Sequence, residues 1–506
     1  MTAADTGRDT ADMARGAMAN FGGMVFRLLS VVFLVVVAQL FGAEMTGLYL
    51  VSLAAVDTGY NLAALGVDRS VLTRAARHHA VGDLPGLHAE VARALWIGTG
   101  GAITLMVLLL ALAGPVAEQV FAKPQLADPL RVMALALPFW GVAAVLLGAT
   151  RALRLMRYQI LAKNLVEPVI RLAVALTAWW TAAGLVGLAA AVPLAALAGA
   201  VAATIFFGRV LSLPMLGQAL RSTTGLGEAL RFTAPIGLND LVNQLIRRAD
   251  LLLVGRYLPP ALVGAYGAAA EAVSPVKLIR QGFDPIVLPI LAGAREARDH
   301  TRMAMHFRDV TRWILILDLA VLGVVVLASG SIMGIFGPEF GVAAVALAVL
   351  AGATVLNGVL GVSELFLLID RPWVNLATAV GTLAIQATLL VVLVPSHGLP
   401  GAALATLIAA AVSNLVRLGL VAAWYRIHPF TRYHGRAVVA ALGAMLLVVA
   451  VRGMLPSLPG PWNDMVVGAG FLMIYLAALR LAGLAPGDRD AASRWAGRVA
   501  REFRRW

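Results

Sequence analysis

Between residues 239 and 250 the chain carries Asn239, Asp240, Asn243, Gln244, Arg247, Arg248 and Asp250 inside an otherwise apolar stretch. At about 100° per residue these side chains fall within roughly half of a helix circumference, and Leu241, Leu245, Ala249, Leu252 and Leu253 take the other half. A polar stripe of that width cannot face hydrocarbon, so it faces a neighbouring helix or a water-filled cavity. Two adjacent guanidiniums with two carboxylates exceed one simple salt bridge. Arg27, Lys277 and Arg280 recur inside other apolar stretches and make the polar faces net cationic. Guanidinium forks onto phosphate oxygens and keeps its proton. Arg27, Arg247, Arg248, Lys277 and Arg280 therefore form a candidate anion site. The competing reading is a set of buried structural pairs, Arg27 with Asp57 among them.

Other membrane-embedded polar groups divide by chemistry. Asp57 and Asp240 are the candidate carboxylates for a coupling H⁺ or Na⁺, because a buried acid favours a proton or bound cation over bare charge. Glu167 and Arg171 stand at i,i+4 with the acid first, the favoured order for a structural ion pair within one helix. Asn375, Thr378, Thr382 and Gln386 run in a line along one apolar segment. There is no cysteine, no HExxH and no lysine in a Gly-rich phosphate loop, and all eight histidines fall in expected loops. No metal, resident cofactor, ATP site or catalytic residue is expected, and the chain reads as a non-enzyme. Short loops on the non-cytoplasmic face weigh against a membrane glycosyltransferase or polymerase.

The elements that position these groups follow from composition. Of 506 residues 60% are hydrophobic and 13% charged, against roughly 25% charged in an average soluble domain. The apolar residues come in blocks of about 18 or more, long enough to span a bilayer. A soluble enzyme, a disordered chain and a disulfide scaffold are thereby excluded. Fourteen spans are expected, from 17–42 and 45–68 through 165–184, 233–255, 260–290, 373–394 and 399–424 to 464–482. The net charge of +13 is mostly topology rather than a nucleic-acid surface. Most Lys and Arg lie on one side of the spans, and only Lys123, Arg131, Arg256 and Arg452 on the other, which predicts both termini in the cytoplasm. Trp495, Val499, Phe503 and Trp506, with arginines between them, make residues 488–506 a basic amphipathic tail for the anionic leaflet. No cleavable signal peptide is expected, since the first apolar run continues as a span.

The chain also repeats itself. The segment Gly47-Leu48-Tyr49 is echoed by Gly264-Ala265-Tyr266, 217 positions on, and Leu185-Val186-Gly187 by Leu399-Pro400-Gly401, 214 positions on. Two anchors at nearly one offset predict two parallel six-helix lobes, residues 1–214 and 215–425. Helices 13 and 14 would occupy 426–487. Parallel repeats of this kind characterise transporters that rock two lobes about a central site.

Four motifs recur in order along the sequence: Ala38-Gln39-Leu40-Phe41-Gly42 with Gly47-Leu48-Tyr49; Arg248-Ala249-Asp250 with Val263-Gly264-Ala265-Tyr266; Ile335-Phe336-Gly337-Pro338-Glu339-Phe340; and Gly398-Leu399-Pro400-Gly401-Ala402-Ala403. With the span count, this order resembles the polysaccharide and O-antigen flippases of the multidrug/oligosaccharidyl-lipid/polysaccharide exporter superfamily over about residues 15–480. The resemblance implies an all-α inner-membrane protein that turns a polyprenyl-pyrophosphate-linked glycan from the cytoplasmic to the outer leaflet, for polysaccharide or lipopolysaccharide export. The pyrophosphate would be the anion held by the arginines, and the polyprenyl tail would stay in lipid near helices 13 and 14. Related lipid flippases place a sodium site among spans 7, 11 and 12, which makes Asn375 and Thr378 coupling-ion candidates beside Asp240. Partners implied are membrane lipids, a polysaccharide polymerase and glycosyltransferases, with no nucleic acid. The runner-up within the superfamily is a cation-coupled multidrug exporter.

Overall fold

The computed structural model describes the backbone of residues 3–297, 299–452 and 462–483. Side chains are described from residue 29 onward within those ranges, except at 284–286, 288, 289, 292, 294 and 462. Every regular element among the described residues is a helix. The longer ones are α1 (Ala3–Ala64), α2 (Val67–Ala80), α3 (Leu84–Pro115), α4 (Ala127–Ala134), α5 (Leu137–Ala152), α6 (Glu167–Trp180), α7 (Gly184–Gly208), α8 (Leu226–Tyr257), α9 (Pro260–Ala272), α10 (Ser274–Glu296), α11 (His300–Leu327), α12 (Ala344–Leu360), α13 (Val362–Asp370), α14 (Pro372–Tyr425), α15 (Arg432–Arg452) and α16 (Trp462–Ala482). The tail 488–506 lies outside the described residues, as does the side chain of Arg27.

Among the described residues nine helices are long and apolar enough to cross a membrane, or ten if the bent pair Pro124–Ala134 and Leu137–Ala152 is one span. The chain is a multi-pass membrane protein. Nine or ten is fewer than the fourteen spans expected from sequence, and the reasons are local. Helices α1 and α14, of 62 and 54 residues, each run through two expected spans, and at about 1.5 Å per residue either far exceeds a hydrocarbon core of roughly 30 Å. Each breaks at a glycine in the left-handed region, Gly42 at φ 76° and Gly398 at φ 59°. Helix α8 carries the polar stripe and so is not an apolar span by composition.

Contacts group the chain into two units: Met1–Ala272 with Met333–Ala346 and Ala379–Ala409, and Val273–Ile332 with Leu347–Thr378 and Ala410–Trp506. In the first unit, Val67, Val71, Leu87, Val91, Leu146, Leu147 and Phe207 from α2, α3, α5 and α7 form a buried apolar cluster. Small residues let α1 cross α9 closely at Gly47 and Gly264. The Ile335–Phe340 motif secures the break in α1: Glu339 Oε2 accepts from the Ala43 amide at 3.1 Å, and Gln39 Nε2 donates to the Ile335 carbonyl at 2.7 Å. Lys123, in the α3–α4 loop, donates to the Gly255 carbonyl near the end of α8. Burial, and then the charge of Arg256, hold its ammonium pKa below the usual lysine value.

In the second unit α15 and α16 pack on α11. Tyr475 Oη donates to the Ile316 carbonyl at 3.1 Å, and Phe471 fills the space left by Gly323. Phe307 of α11 and Phe366 of α13 meet with ring centroids 4.9 Å apart.

Candidate functional site: a guanidinium-rich polar cluster in each unit

In the first unit the polar stripe of α8 meets the end of α1. Asp57 Oδ2 accepts from Gln244 Nε2 at 2.6 Å and from Arg248 Nε and Nη2 at 3.3 and 3.2 Å. Gln244 turns its carbonyl oxygen to Arg247, whose Nη2 and Nε donate at 2.6 and 3.2 Å. Arg247, Gln244, Asp57 and Arg248 thus form one continuous chain of hydrogen bonds. Asp240, about one turn before Gln244, pairs with Arg69 of α2 at 2.8 Å. Both stripe-facing acids are therefore taken, Asp57 by Arg248 and Asp240 by Arg69. Arg247 rests on a neutral amide, and no described carboxylate forms an ion pair with it. Asp250 instead joins α8 to α9, its oxygens accepting from the Leu251 amide and from Tyr266 Oη.

The second unit holds its own cluster. Arg280 of α10 donates from Nη1 to the Asn357 carbonyl at 3.0 Å and stands 3.6 Å from Glu364 Oε2. A β-carbon at Gly361 would overlap Nη1, so this approach requires glycine there. Arg417 of α14 reaches the same Glu364 oxygen at 3.3 Å and donates from Nε to Thr378 Oγ1 at 3.2 Å. Asn414 donates to Asn357 Oδ1 at 2.6 Å and closes the group. Two guanidiniums share one carboxylate oxygen, so this ion-paired core is net positive.

Of the sequence-expected anion ligands, Arg247 and Arg248 lie side by side in the first cluster and Arg280 in the second. Lys277 is exposed one turn before Arg280. Thr378 accepts from Arg417 and donates to the Asn375 carbonyl at 2.8 Å, while the buried Asn375 Oδ1 has no hydrogen-bond partner. A guanidinium against Thr378 Oγ1 is a poor neighbour for a sodium ion.

The expected Glu167–Arg171 pair is not the one formed. Glu167 pairs with Lys163 at 2.6 Å, packed where a β-carbon at Gly199 would overlap it, and Arg171 stands 5.8 Å over the Phe33 ring. Sequence reasoning also missed Glu364 and Arg417 as partners, since they lie 53 positions apart on different helices and no local spacing relates them. Arg69, just past the expected second span, also escapes a sequence reading, because only its long side chain brings it back to Asp240.

The comparisons agree with this architecture. The profile of the family described as "Polysaccharide biosynthesis protein" matches residues 14–287, just over half of the chain. The probable low-salt glycan biosynthesis flippase Agl15 of Haloferax volcanii is 27% identical over 170 residues, 33% of this chain and 36% of that protein. The match therefore spans about a third of that relative's length. The solved structure of the lipid II flippase MurJ, inward closed, superposes with a TM-score of 0.73 at 13% identity, covering 92% of this chain and 98% of that one. An inward-facing multidrug resistance MATE transporter of the MOP superfamily gives a TM-score of 0.69 at 15% identity, covering 81% and 97%. Likeness at such low identity carries the fold, and the profile carries the family: this chain has the helical fold shared by MurJ and MATE transporters and belongs to the polysaccharide biosynthesis protein family.

Proposed function

We propose that the protein flips a polyprenyl-pyrophosphate-linked oligosaccharide from the cytoplasmic to the outer leaflet of a bacterial plasma membrane by alternating access. The observation that carries this is the surplus of guanidinium over carboxylate in both polar clusters. Arg247 rests on Gln244 because Asp57 and Asp240 are already paired, and Arg280 shares Glu364 with Arg417. Charges left over within apolar spans are costly unless a ligand uses them, and a pyrophosphate offers the planar oxygen pairs that guanidinium forks onto. The family and the names of the Haloferax relative and the MurJ structure support the same reading.

Fourteen spans fit this reading if α1 and α14 each count twice, the bent pair once, and the helices around 165–184 and 233–255 are added. Both termini would then be cytoplasmic, with lobes 1–214 and 215–425. A glycan polymerase and glycosyltransferases are the expected partners. Coupling would use H⁺ or Na⁺, with Asp57 and Asp240 as the candidate carboxylates in the first unit.

The MATE neighbour favours a second reading, export of organic cations. Guanidinium-rich clusters repel such substrates, which ranks it below the first. The deciding experiment uses purified protein in vesicles with a fluorescent lipid-linked oligosaccharide in one arm and an organic cation in the other. Flipping of the lipid-linked sugar is expected, and export of the cation without it would overturn the proposal.

A further inference from the structure

Asp318 lies about two thirds of the way along α11, 1% exposed, and its Oδ1 has no hydrogen-bond partner. The ion pairs of the second unit leave it out: Arg280 and Arg417 take Glu364, Arg295 takes Asp370, Arg312 takes Asp309 and Arg452 takes Asp464. Its carboxyl faces Gly358 of α12, where a β-carbon would overlap Oδ2, with the Ile314 methyl beside it. Helix α12 bears no ionisable side chain. Among residues with described side chains, the ionisable groups on the other helices packed against α11 are Lys277, Arg280, Arg295 and Glu296 on α10, Arg432, Tyr433, His434, Arg436 and Arg452 on α15, and Asp464, Tyr475 and Arg480 on α16. Tyr475 is bonded to the Ile316 carbonyl, and Arg280 is bonded to the carbonyl of Asn357, the residue before the Gly358 that Asp318 faces.

A bare carboxylate buried without a donor is among the costliest groups a protein can hold, and the neutral acid is the form that fits such a site. A sodium ion would need several oxygens around it, whereas a proton needs only the carboxyl itself. We propose that Asp318 is a proton-binding site of the transport cycle: its carboxyl is protonated in this arrangement, and ionisation draws Arg280 away from Glu364. The proton leaves Oδ for water, and no other bond is made or broken. With Asp318 neutral, Arg280 and Arg417 share one acid and keep a net positive charge. With Asp318 ionised, each arginine has its own carboxylate and that charge is cancelled. Proton binding at Asp318 and anion binding at the two arginines therefore strengthen one another, as linkage requires. The role in a cycle rests on the flippase reading; the protonation does not.

The test uses full-length protein in phosphatidylethanolamine–phosphatidylglycerol vesicles and infrared difference spectra between neutral and alkaline buffer. Wild type should show a deuterium-sensitive band of a protonated carboxyl that D318N and D318L both lack. Both variants should accumulate in the membrane as wild type does, because each replaces a neutral group by a neutral one. A band that persists in the variants, or failure of both to accumulate, would overturn the proposal. In cells dependent on the plasmid copy, D318N at equal protein level should lower surface glycan by about tenfold or more, and undiminished glycan would overturn the role in the cycle. Should the band vanish in D318N while cells lacking the protein altogether keep their glycan, the proton site stands and the flippase reading falls.

Discussion

Gly47 of α1 and Gly264 of α9 meet backbone to backbone. A β-carbon on Gly47 would stand 2.8 Å from the Gly264 nitrogen, and one on Gly264 would stand 3.0 Å from the Gly47 nitrogen. Each would also overlap a carbonyl of the opposite helix, Pro260 for the first and Ala43 for the second. These are the two glycines whose motifs echo one another in the sequence, and the two echoed motifs pack against each other. Backbone on both sides leaves nothing flexible to move aside, and overpacking of this kind costs about 1–3 kcal/mol or more. Gly47→Ala and Gly264→Ala should each lower the melting temperature in detergent by several degrees. Gly443→Ala on α15, where nothing lies within 4 Å, should be neutral or stabilise by up to about 1 kcal/mol. Equal melting of all three variants would remove the crossing as a determinant of stability.

Arg247 and Arg248 are neighbours in sequence with different surroundings, which separates function from stability. Arg248 pairs with Asp57 with 37% and 28% of their side chains exposed, so its replacement by alanine should cost only about 1 kcal/mol. Asn at position 57 should recover part of that loss by removing the stranded charge. Arg247, bonded to Gln244 alone, should tolerate alanine with unchanged melting but lose transport. A hydrogen bond to a charged group is worth about 1.5–3 kcal/mol, enough to lower export by roughly tenfold or more. Arg247→Lys should restore it only in part, since ammonium does not fork onto two oxygens. Melting curves and surface-glycan levels, measured on the same variants, check both halves.

The membrane class, the polar stripe of α8 and the break points near Gly42 and Gly398 were legible in the sequence, because apolar block length and helical periodicity encode them directly. Partner choice was not. Glu167 has a cation one turn to either side, Lys163 and Arg171. The choice was made by Phe33, which holds the Arg171 guanidinium over its ring from a distant part of the chain. Arg417 and Glu364 meet only because two helices bring them together. Gly187 and Gly401 illustrate the middle case. Each was visible as a repeat anchor, and each packs on the end of the preceding helical segment, against Ala178 and Leu393. That contact could not be named before the helices were placed.

Asp83, outside the spans, gives a pH prediction. It caps α3 by accepting from the Gly86 amide at 2.9 Å and lies 2.8 Å from His78 Nδ1. The Gly86 hydrogen bond, and after it His78, hold its carboxyl below the usual aspartate pKa. A depressed folded pKa means a contribution that is fully present above the unfolded value and lost as pH falls through the folded one. Wild type should therefore melt above Asp83→Asn at neutral pH. The gap should close only on the acid side of the ordinary carboxylate range. A gap that is constant across that range would mean the cap works through geometry alone.

The Glu339 carboxylate, on a short 3-10 helix far along the chain, restarts a helix. Gly42 sits at φ 76°, the chain breaks there, and the amide of Ala43 becomes one of the unpaired donors of a new helix N-terminus. Glu339 Oε2 accepts from it at 3.1 Å, from a segment 296 positions away, and its negative charge also suits that end of the helix. Glu339→Ala should cost about 1 kcal/mol, up to ~2 as for other lost N-caps. Glu339→Gln keeps an acceptor oxygen without the charge, so it should lose less. Gly42→Ala should cost about 1–3 kcal/mol by a different route, because positive φ with ψ near 180° is a region held almost only by glycine, although space for a β-carbon exists 3.7 Å from Glu339. Hydrogen exchange resolved at Ala43 tells the two mechanisms apart. Glu339→Ala should speed exchange of that amide, while Gly42→Ala should lower the melting temperature through strain at residue 42 itself. An Ala43 amide that stays fully protected in Glu339→Ala would show that some other acceptor serves this helix start.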